Sequence, residues 1–401
     1  MKWEKNKLSD ICKIGDGAHA SLKRQKTGVP YLTAKNITKN GIDYSSMDYI
    51  SQETYSRHFK EKSNALTKPQ KNDILYSIIG SIGGVYIVKD EIVGISSSVA
   101  IFRCNNDVIP KYLYFFMKSY FFDSQIQVLR GGVAQGFMSL SKLSTIEVPI
   151  PPIETQRRIA SILSAYDNLI ENNQKQIKLL EEAAQRLYKE WFVDLRFPGY
   201  ENTPVVDGVP QGWKLDAVKS VVSLLSGYAF KSSDFVDNGQ YKIVTIKNVQ
   251  DGNFDGENVN TIAEIPSKTP SHCALNHGDI LLSLTGNVGR VCLVVGENYL
   301  LNQRVAKLHS KYPAYAYCLF RSKDMFDIMN NLANGAAQQN LSPIRTENTR
   351  ALIPNEELIS TFENMVSPMI EKILLLNKSN GDLKQARDRL LPKLMSGELE
   401  V

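Results

Sequence analysis

Most of this chain is written twice. Residues 72–88, NDILYSIIGSIGGVYIV, return 206 positions later as residues 278–294, GDILLSLTGNVGRVCLV, with eight of 17 positions identical. The shared residues are Asp73/Asp279, Ile74/Ile280, Leu75/Leu281, Ser77/Ser283, Gly80/Gly286, Gly83/Gly289, Val85/Val291 and Val88/Val294. Beyond a loop near residues 103–110 that loses three residues, the offset becomes 203. Pro110, Tyr112, Tyr114, Ser119, Leu129, Gln135 and Ser139 then match Pro313, Tyr315, Tyr317, Ser322, Leu332, Gln338 and Ser342. A shorter echo sets Thr33-x-Lys35-Asn36 against Thr245-x-Lys247-Asn248. Two copies are too few for a solenoid, in which each repeat depends on its neighbours. The duplication instead predicts two similar globular units related by a pseudo-two-fold axis.

Each copy divides into a block and a tail. The blocks are residues 1–150 and 213–353; the tails are 151–192 and 354–401, with a linker at 193–212. Short β-rich runs bounded by Gly, Asp and Asn predict strands over 74–79, 85–88, 93–103, 243–246, 280–284 and 291–295. Residues 110–129 and 313–332 read as helical. The expected class is α+β, with a curved, mostly antiparallel sheet in each block.

The tails carry heptads. In the first, Ile159, Leu163, Tyr166, Ile170, Asn173, Ile177, Leu180, Ala184, Leu187 and Trp191 alternate spacings of four and three. In the second, Ile359, Phe362, Val366, Met369, Ile373, Leu376, Asn380, Leu383, Arg387, Leu390 and Leu394 do the same. Sustained a/d spacing predicts a coiled-coil seam. Set antiparallel so that paired numbers sum to 553, Trp191 meets Phe362, Ile177 meets Leu376, Leu163 meets Leu390 and Asn173 meets Asn380. An Asn pair in an apolar seam fixes register. Pro368 and Asn380-Gly381 work against the second helix, and the surviving register favours one kinked helix over two. Pro392 should end or bend its last turn, which weakens Leu394 as a layer.

The formal net charge of +5 is too small to announce a nucleic-acid binder. It is unevenly spread, however: residues 1–150 carry +7 and residues 213–353 carry +2, while the segments between and after them carry 0, −2 and −2. No run of 18 apolar residues occurs, and the opening MKWEKNKLSD has no apolar core, so a cytoplasmic protein without a membrane span is expected. Cys12, Cys104, Cys273, Cys292 and Cys318 are scattered and odd in number, which argues against a disulfide framework and against zinc pairs. The sequence holds no G-x-x-x-x-G-K-[ST], G-x-G-x-x-G, H-E-x-x-H or G-x-S-x-G. It also lacks the Asn-Pro-Pro-Tyr or Asp-Pro-Pro-Tyr of DNA amino-methyltransferases. The five His form no ligand pattern, and Asp73 and Asp279 read as turn carboxylates. The chain reads as a binder rather than a catalyst, with no metal or cofactor of its own.

Several ordered runs carry a resemblance. They are Pro151-Pro152-Ile-Glu-Thr-Gln-Arg-Arg-Ile, the helix end Leu187-Tyr-Lys-Glu-Trp-Phe-Val-Asp, Arg196-Phe-Pro-Gly, Val209-Pro-Gln-Gly-Trp213 and Arg389-Leu-Leu-Pro-Lys-Leu-Met-Ser-Gly-Glu-Leu. With the order recognition block, helix, recognition block, helix, the chain resembles the specificity subunits of type I restriction–modification systems. The resemblance implies two target-recognition domains, each reading one half of a bipartite DNA site. It also implies helices that set the spacing and dock two modification subunits, and two restriction subunits that join them. S-adenosylmethionine, ATP and magnesium would belong to those partners. A specificity partner of a methyltransferase without a nuclease, or a coiled-coil scaffold binding only protein, are the alternatives. Candidate DNA contacts are polar residues of the glycine loops and their echoes: Ser77, Ser81, Ser283, Thr285, Asn287 and Arg290, then Lys35, Asn36, Lys247 and Asn248, then Gln135, Gln338 and Gln339. Asn and Gln can pair with adenine, and Arg or Lys with guanine. The competing reading makes the glycines tight turns and the polar groups their caps. Arg345 and Arg350 suit phosphate, or face only solvent. Tyr188, Trp191, Phe192, Leu390, Leu391 and Leu394 are the candidates for partner docking.

Overall fold

The computed structural model describes residues 3–38, 41–61, 65–131, 136–333 and 339–401. Two compact units result: Met1–Leu169 with Leu383–Val401, and Ile170–Asp382. Each therefore holds one recognition block and a portion of both tails.

The two units share one sheet topology. In the first, a four-stranded antiparallel sheet runs Cys12–Asp16, Val99–Cys104, Ile74–Ser77, Val85–Ile87. In the second the order is Ser223–Ser226, Val305–His309, Ile280–Ser283, Val291–Leu293. A second sheet accompanies each, three-stranded in the first unit and five-stranded in the second, with one parallel pair: Tyr31 beside Gly94 in the first unit and Ile243 beside Leu300 in the second. The run 93–103, expected as one strand, splits between these sheets as Gly94–Ile95 and Val99–Cys104. The helical runs also split, into Pro110–Met117 and Tyr120–Arg130, and into Pro313–Arg321 and Lys323–Ala333. At each break a serine hydroxyl donates to the carbonyl three residues back, Ser119 to Phe116 and Ser322 to Leu319, both at 2.7 Å. Such a local bond competes with continuation of the helix.

The repeated aspartates are structural. Asp73 accepts the Gln70 amide at 2.7 Å and both Nε and Nη2 of Arg103 at 2.9 and 2.7 Å. Asp279 likewise accepts the Asn276 amide at 2.8 Å and Lys307 Nζ at 2.7 Å. Both tie the turn before the central strand to the neighbouring strand. The same sheet sets Cys104 directly opposite Cys12, with sulfurs 3.7 Å apart and both thiols free.

The tails form the helices Ile153–Tyr188 and Glu356–Ser396. In the second unit, Asn173 Nδ2 donates to Asn380 Oδ1 at 2.9 Å, and the Trp191 and Phe362 rings lie 5.8 Å apart. Both pairs obey the expected antiparallel register. In the first unit, Leu163 packs in one cluster with Leu390, Leu391 and Leu394, and Arg387 Nη1 donates to Asp167 at 2.6 Å. The C-terminal helix runs unbroken through Pro368, Asn380-Gly381 and Pro392. Buried layers at Val366, Ile370 and Ile373 offset the amide lost at Pro368. Leu394, expected to be a weak layer, is fully buried.

The docking candidates are core residues instead. After Tyr188 the central helix widens into a π turn, Lys189–Val193, closed by the Asp194 amide on the Lys189 carbonyl at 2.8 Å. The extra residue turns both Trp191 and Phe192 inward. Phe192 lies 5.0 Å from Phe362, 5.2 Å from Tyr315 and 6.0 Å from Trp213, with Tyr188 beside it at 5.2 Å. Tyr188, Trp191 and Phe192 thus fill the second unit's core, and Leu391 and Leu394 fill the first's, with Leu390 half-buried against it. Side chains buried in this way leave little surface for another subunit, and of the six only Leu390 stays partly exposed.

Candidate nucleic-acid interface

Each unit builds the same surface from three pieces: the Thr-x-Lys-Asn box, the glycine loop and a short segment bridged to that loop.

The box is an internal clamp. Asn36 Oδ1 accepts from the Thr33 amide at 3.0 Å and its hydroxyl at 2.8 Å, while Nδ2 donates to the carbonyls of Asp43 and Ser46. Asn248 repeats every bond: Thr245 amide at 2.8 Å, Thr245 hydroxyl at 2.9 Å, and the carbonyls of Asp255 and Asn258. Both asparagines are fully buried, so their amides are committed to the fold and not to adenine. Lys35 and Lys247, one residue earlier, are exposed.

The loop serines are structural as well. Ser77 Oγ donates to the Ser81 carbonyl at 2.7 Å and accepts the Gly84 amide at 2.8 Å. Ser283 Oγ makes the same pair of bonds, to the Asn287 carbonyl and from the Arg290 amide. Both serines are fully buried. Each hydroxyl closes its loop from below, while Gly80 (φ 73°) and Gly286 (φ 72°) supply the left-handed turn at the tip. At Gly84 there is no room for a side chain without a shift of the backbone: a Cβ would sit 1.9 Å from the Ile37 carbonyl oxygen, so the loop lies directly on the box.

The third piece is a β-bridge. Ile79 pairs with Phe137 and Thr285 with Asn340. The Gly80 amide donates to Gly136 at 2.7 Å, and the Leu341 amide to Leu284 at 2.7 Å.

The exposed candidates are therefore Lys35 and Ser81 in the first unit, and Lys247, Asn287 and Gln339 in the second. Thr285 is half-buried, and its hydroxyl oxygen is covered without a hydrogen-bond partner. Arg290 is half-buried and donates to Gln250 Oε1. Gln135 and Gln338 lie outside the described residues. Arg345 and Arg350 are exposed. Sequence reasoning passed over Arg304, which is exposed and gives its carbonyl to the Leu284 amide at 3.0 Å. It also missed Ile79, Phe137 and Asn340. The signal was available: Arg304 stands 206 positions after Ser98, beside the matched Val305-Ala306, at a position where the copies differ.

In the second unit the loop is also anchored to the helix. Glu181 accepts from Arg321 Nη1 at 2.7 Å and from the Tyr317 hydroxyl at 2.8 Å, and Arg321 Nε reaches Asp251 at 3.3 Å. Burial opposes the Arg321 charge, but Tyr317, Glu181 and Asp251 outweigh it and raise the guanidinium's pKa. Asp251 neighbours Gln250, the partner of Arg290, so glycine loop, hairpin and helix are linked by charged and polar bonds.

Comparison with known proteins agrees with this arrangement. The family model for the type I restriction modification DNA specificity domain matches residues 1–182 and 210–357. The MjaIX type I restriction enzyme specificity subunit of Methanocaldococcus jannaschii is 28% identical, over 100% of this chain and 94% of its own. The HindI specificity subunit of Haemophilus influenzae is 22% identical over 82% of this chain and 87% of its own. A crystal structure of the type I restriction–modification S subunit from M. genitalium superposes with a TM-score of 0.58 at 16% identity, over 98% of this chain and 96% of that one, which is a likeness of fold. With its family match in two stretches that together take in most of both repeats, this chain belongs to the type I restriction–modification DNA specificity family.

Proposed function

We propose that this chain is the DNA-specificity subunit of a type I restriction–modification complex, and that each unit reads one half of a bipartite site. The observation that carries this reading is the duplicated scaffold with a changed face. The Asn36/Asn248 clamps and the Ser77/Ser283 loop closures agree bond for bond, while Ser81 against Asn287, Ile79 against Thr285 and Phe137 against Asn340 differ around them. Two heads built alike but lined differently suit two different half-sites. The helices set the spacing and dock two modification subunits, and two restriction subunits complete the assembly. Catalysis, with S-adenosylmethionine, ATP and magnesium, resides in those partners, and the complex works in the cytoplasm.

Methylome sequencing of a host with and without this gene tests the reading, since it should reveal one bipartite motif that depends on the gene. Exchanging residues 213–353 for the block of another family member should then change one half of that motif. A change in both halves, or a motif without two parts, would overturn the modular reading. The purified chain alone should not transfer methyl groups from S-adenosylmethionine to DNA, and turnover there would make it an enzyme. Binding by the assembled complex should weaken steeply with salt, as phosphate contacts release counterions.

A further inference from the structure

We infer that the bridge beside each glycine loop is where the two units read different bases. In the first unit Phe137, with Ile79, meets the 5-methyl group of thymine; in the second, Asn340 pairs with adenine. The inference rests on the DNA-specificity reading above.

The bridge has an inner and an outer side in both units. Ile78 and Met138 point inward at 1% and 0% exposure, and Leu284 and Leu341 do the same at 4% and 1%. The inner side is thus apolar in both copies. The outer side is not conserved between them. Ile79 and Phe137 stand 40% and 57% exposed, whereas the second unit carries Thr285 and an exposed Asn340. The second unit therefore shows that this bridge forms without apolar outer residues, so packing does not require Phe137 to be aromatic.

An exposed Phe–Ile pair on a block of net charge +7 fits a polyanion that offers an apolar group. In the major groove the 5-methyl of thymine is the apolar group that a base edge presents, and Phe is a known contact for it. Among the described residues, none lies within 4 Å of where a Cβ on Gly80 would be. In the second unit the Asn340 amide has the donor and acceptor that match adenine N7 and N6. One structural position thus carries two complementary chemistries.

The test uses the assembled complex with its modification subunits and duplexes carrying the motif found by methylome sequencing. The block exchange above assigns each half-site to its unit. Replacing thymine by deoxyuridine in the first unit's half-site removes only methyl groups, and should weaken wild-type binding about fivefold or more. The same replacement in the other half-site should have no effect. Phe137→Ala should weaken binding similarly and abolish the deoxyuridine effect, while Phe137→Leu should restore part of both. Asn340→Ala should remove sensitivity to 7-deazaadenine in the second half-site only. An unchanged melting temperature for each variant separates contact from misfolding. A first half-site without thymine, a neutral deoxyuridine substitution, or a Phe137→Ala loss indifferent to deoxyuridine would each overturn the inference. In all three cases a bipartite motif would leave the DNA-specificity reading standing. Absence of that motif would instead remove the reading on which the inference depends.

Discussion

The Asn173–Asn380 bond offers the sharpest test of the helix register. Both side chains sit in an apolar seam at 9% and 6% exposure, joined at 2.9 Å. Asn380→Leu removes the bond, worth about 1 kcal/mol, and leaves the Asn173 amide buried without a partner, at a further cost of about 1–3 kcal/mol. Burying the new leucine returns about 1–2 kcal/mol of this. The single variant should therefore be destabilised by roughly 1–2 kcal/mol, and Asn173→Leu likewise. The double variant strands no amide and buries two leucines. It should be at least as stable as wild type, as when polar pairs are replaced by apolar ones. The coupling energy between the sites should then be about 2 kcal/mol or more. Urea unfolding followed by tryptophan fluorescence measures it, because Trp191 and Trp213 both report on the second unit's core. Additivity of the two substitutions within about 0.5 kcal/mol would mean that the side chains do not meet, and the register argument would fail.

Three further outcomes follow from the geometry. Asp73→Asn breaks a pair whose carboxylate is 3% exposed and should lower the first unit's stability by about 3 kcal/mol in urea titrations, with the second unit's transition unmoved. Gly84→Ala drives a Cβ against the Ile37 carbonyl and should cost about 2 kcal/mol or more by calorimetry. Burial raises the pKa of Tyr188, Tyr315 and Tyr317, so the folded state resists their ionisation; their contribution to stability is full below about pH 10 and is lost as pH rises beyond it, because the unfolded chain ionises first. Tyrosinate absorbance at alkaline pH should rise together with loss of circular dichroism, and ordinary titration of these three in a folded chain would contradict their burial.

The duplication and the heptads were legible because each is a spacing, and spacing is what a sequence records. Asn173 and Asn380 could be paired from numbers alone. The strand run 93–103 was not divisible that way, because the break between Gly94–Ile95 and Val99–Cys104 assigns the pieces to different sheets by long-range pairing. Polar identity misled at Asn36, Asn248, Ser77 and Ser283. Side chains that can hydrogen-bond a base can equally bond a backbone, and in a tight loop the backbone is nearer. Aromatic identity misled at Trp191 and Phe192, where a single π turn rotates adjacent residues into one core.

The polar misreadings at Asn36, Asn248, Ser77 and Ser283 share a cause that reverses the usual weight given to a repeat. The residues common to both copies, Asn36/Asn248, Ser77/Ser283 and Asp73/Asp279, are those that hold the fold, since both copies need the same clamp, loop closure and turn. If the two heads read different half-sites, the residues that read cannot be the ones they share. Identity between the copies therefore marks scaffold, and the informative positions are those that differ on a shared frame: Ser98 against Arg304, Ile79 against Thr285, Phe137 against Asn340. A single copy would have given no means of separating the two classes. The pair supplies an internal control, in which one copy shows what the frame requires and the other what it leaves free to vary.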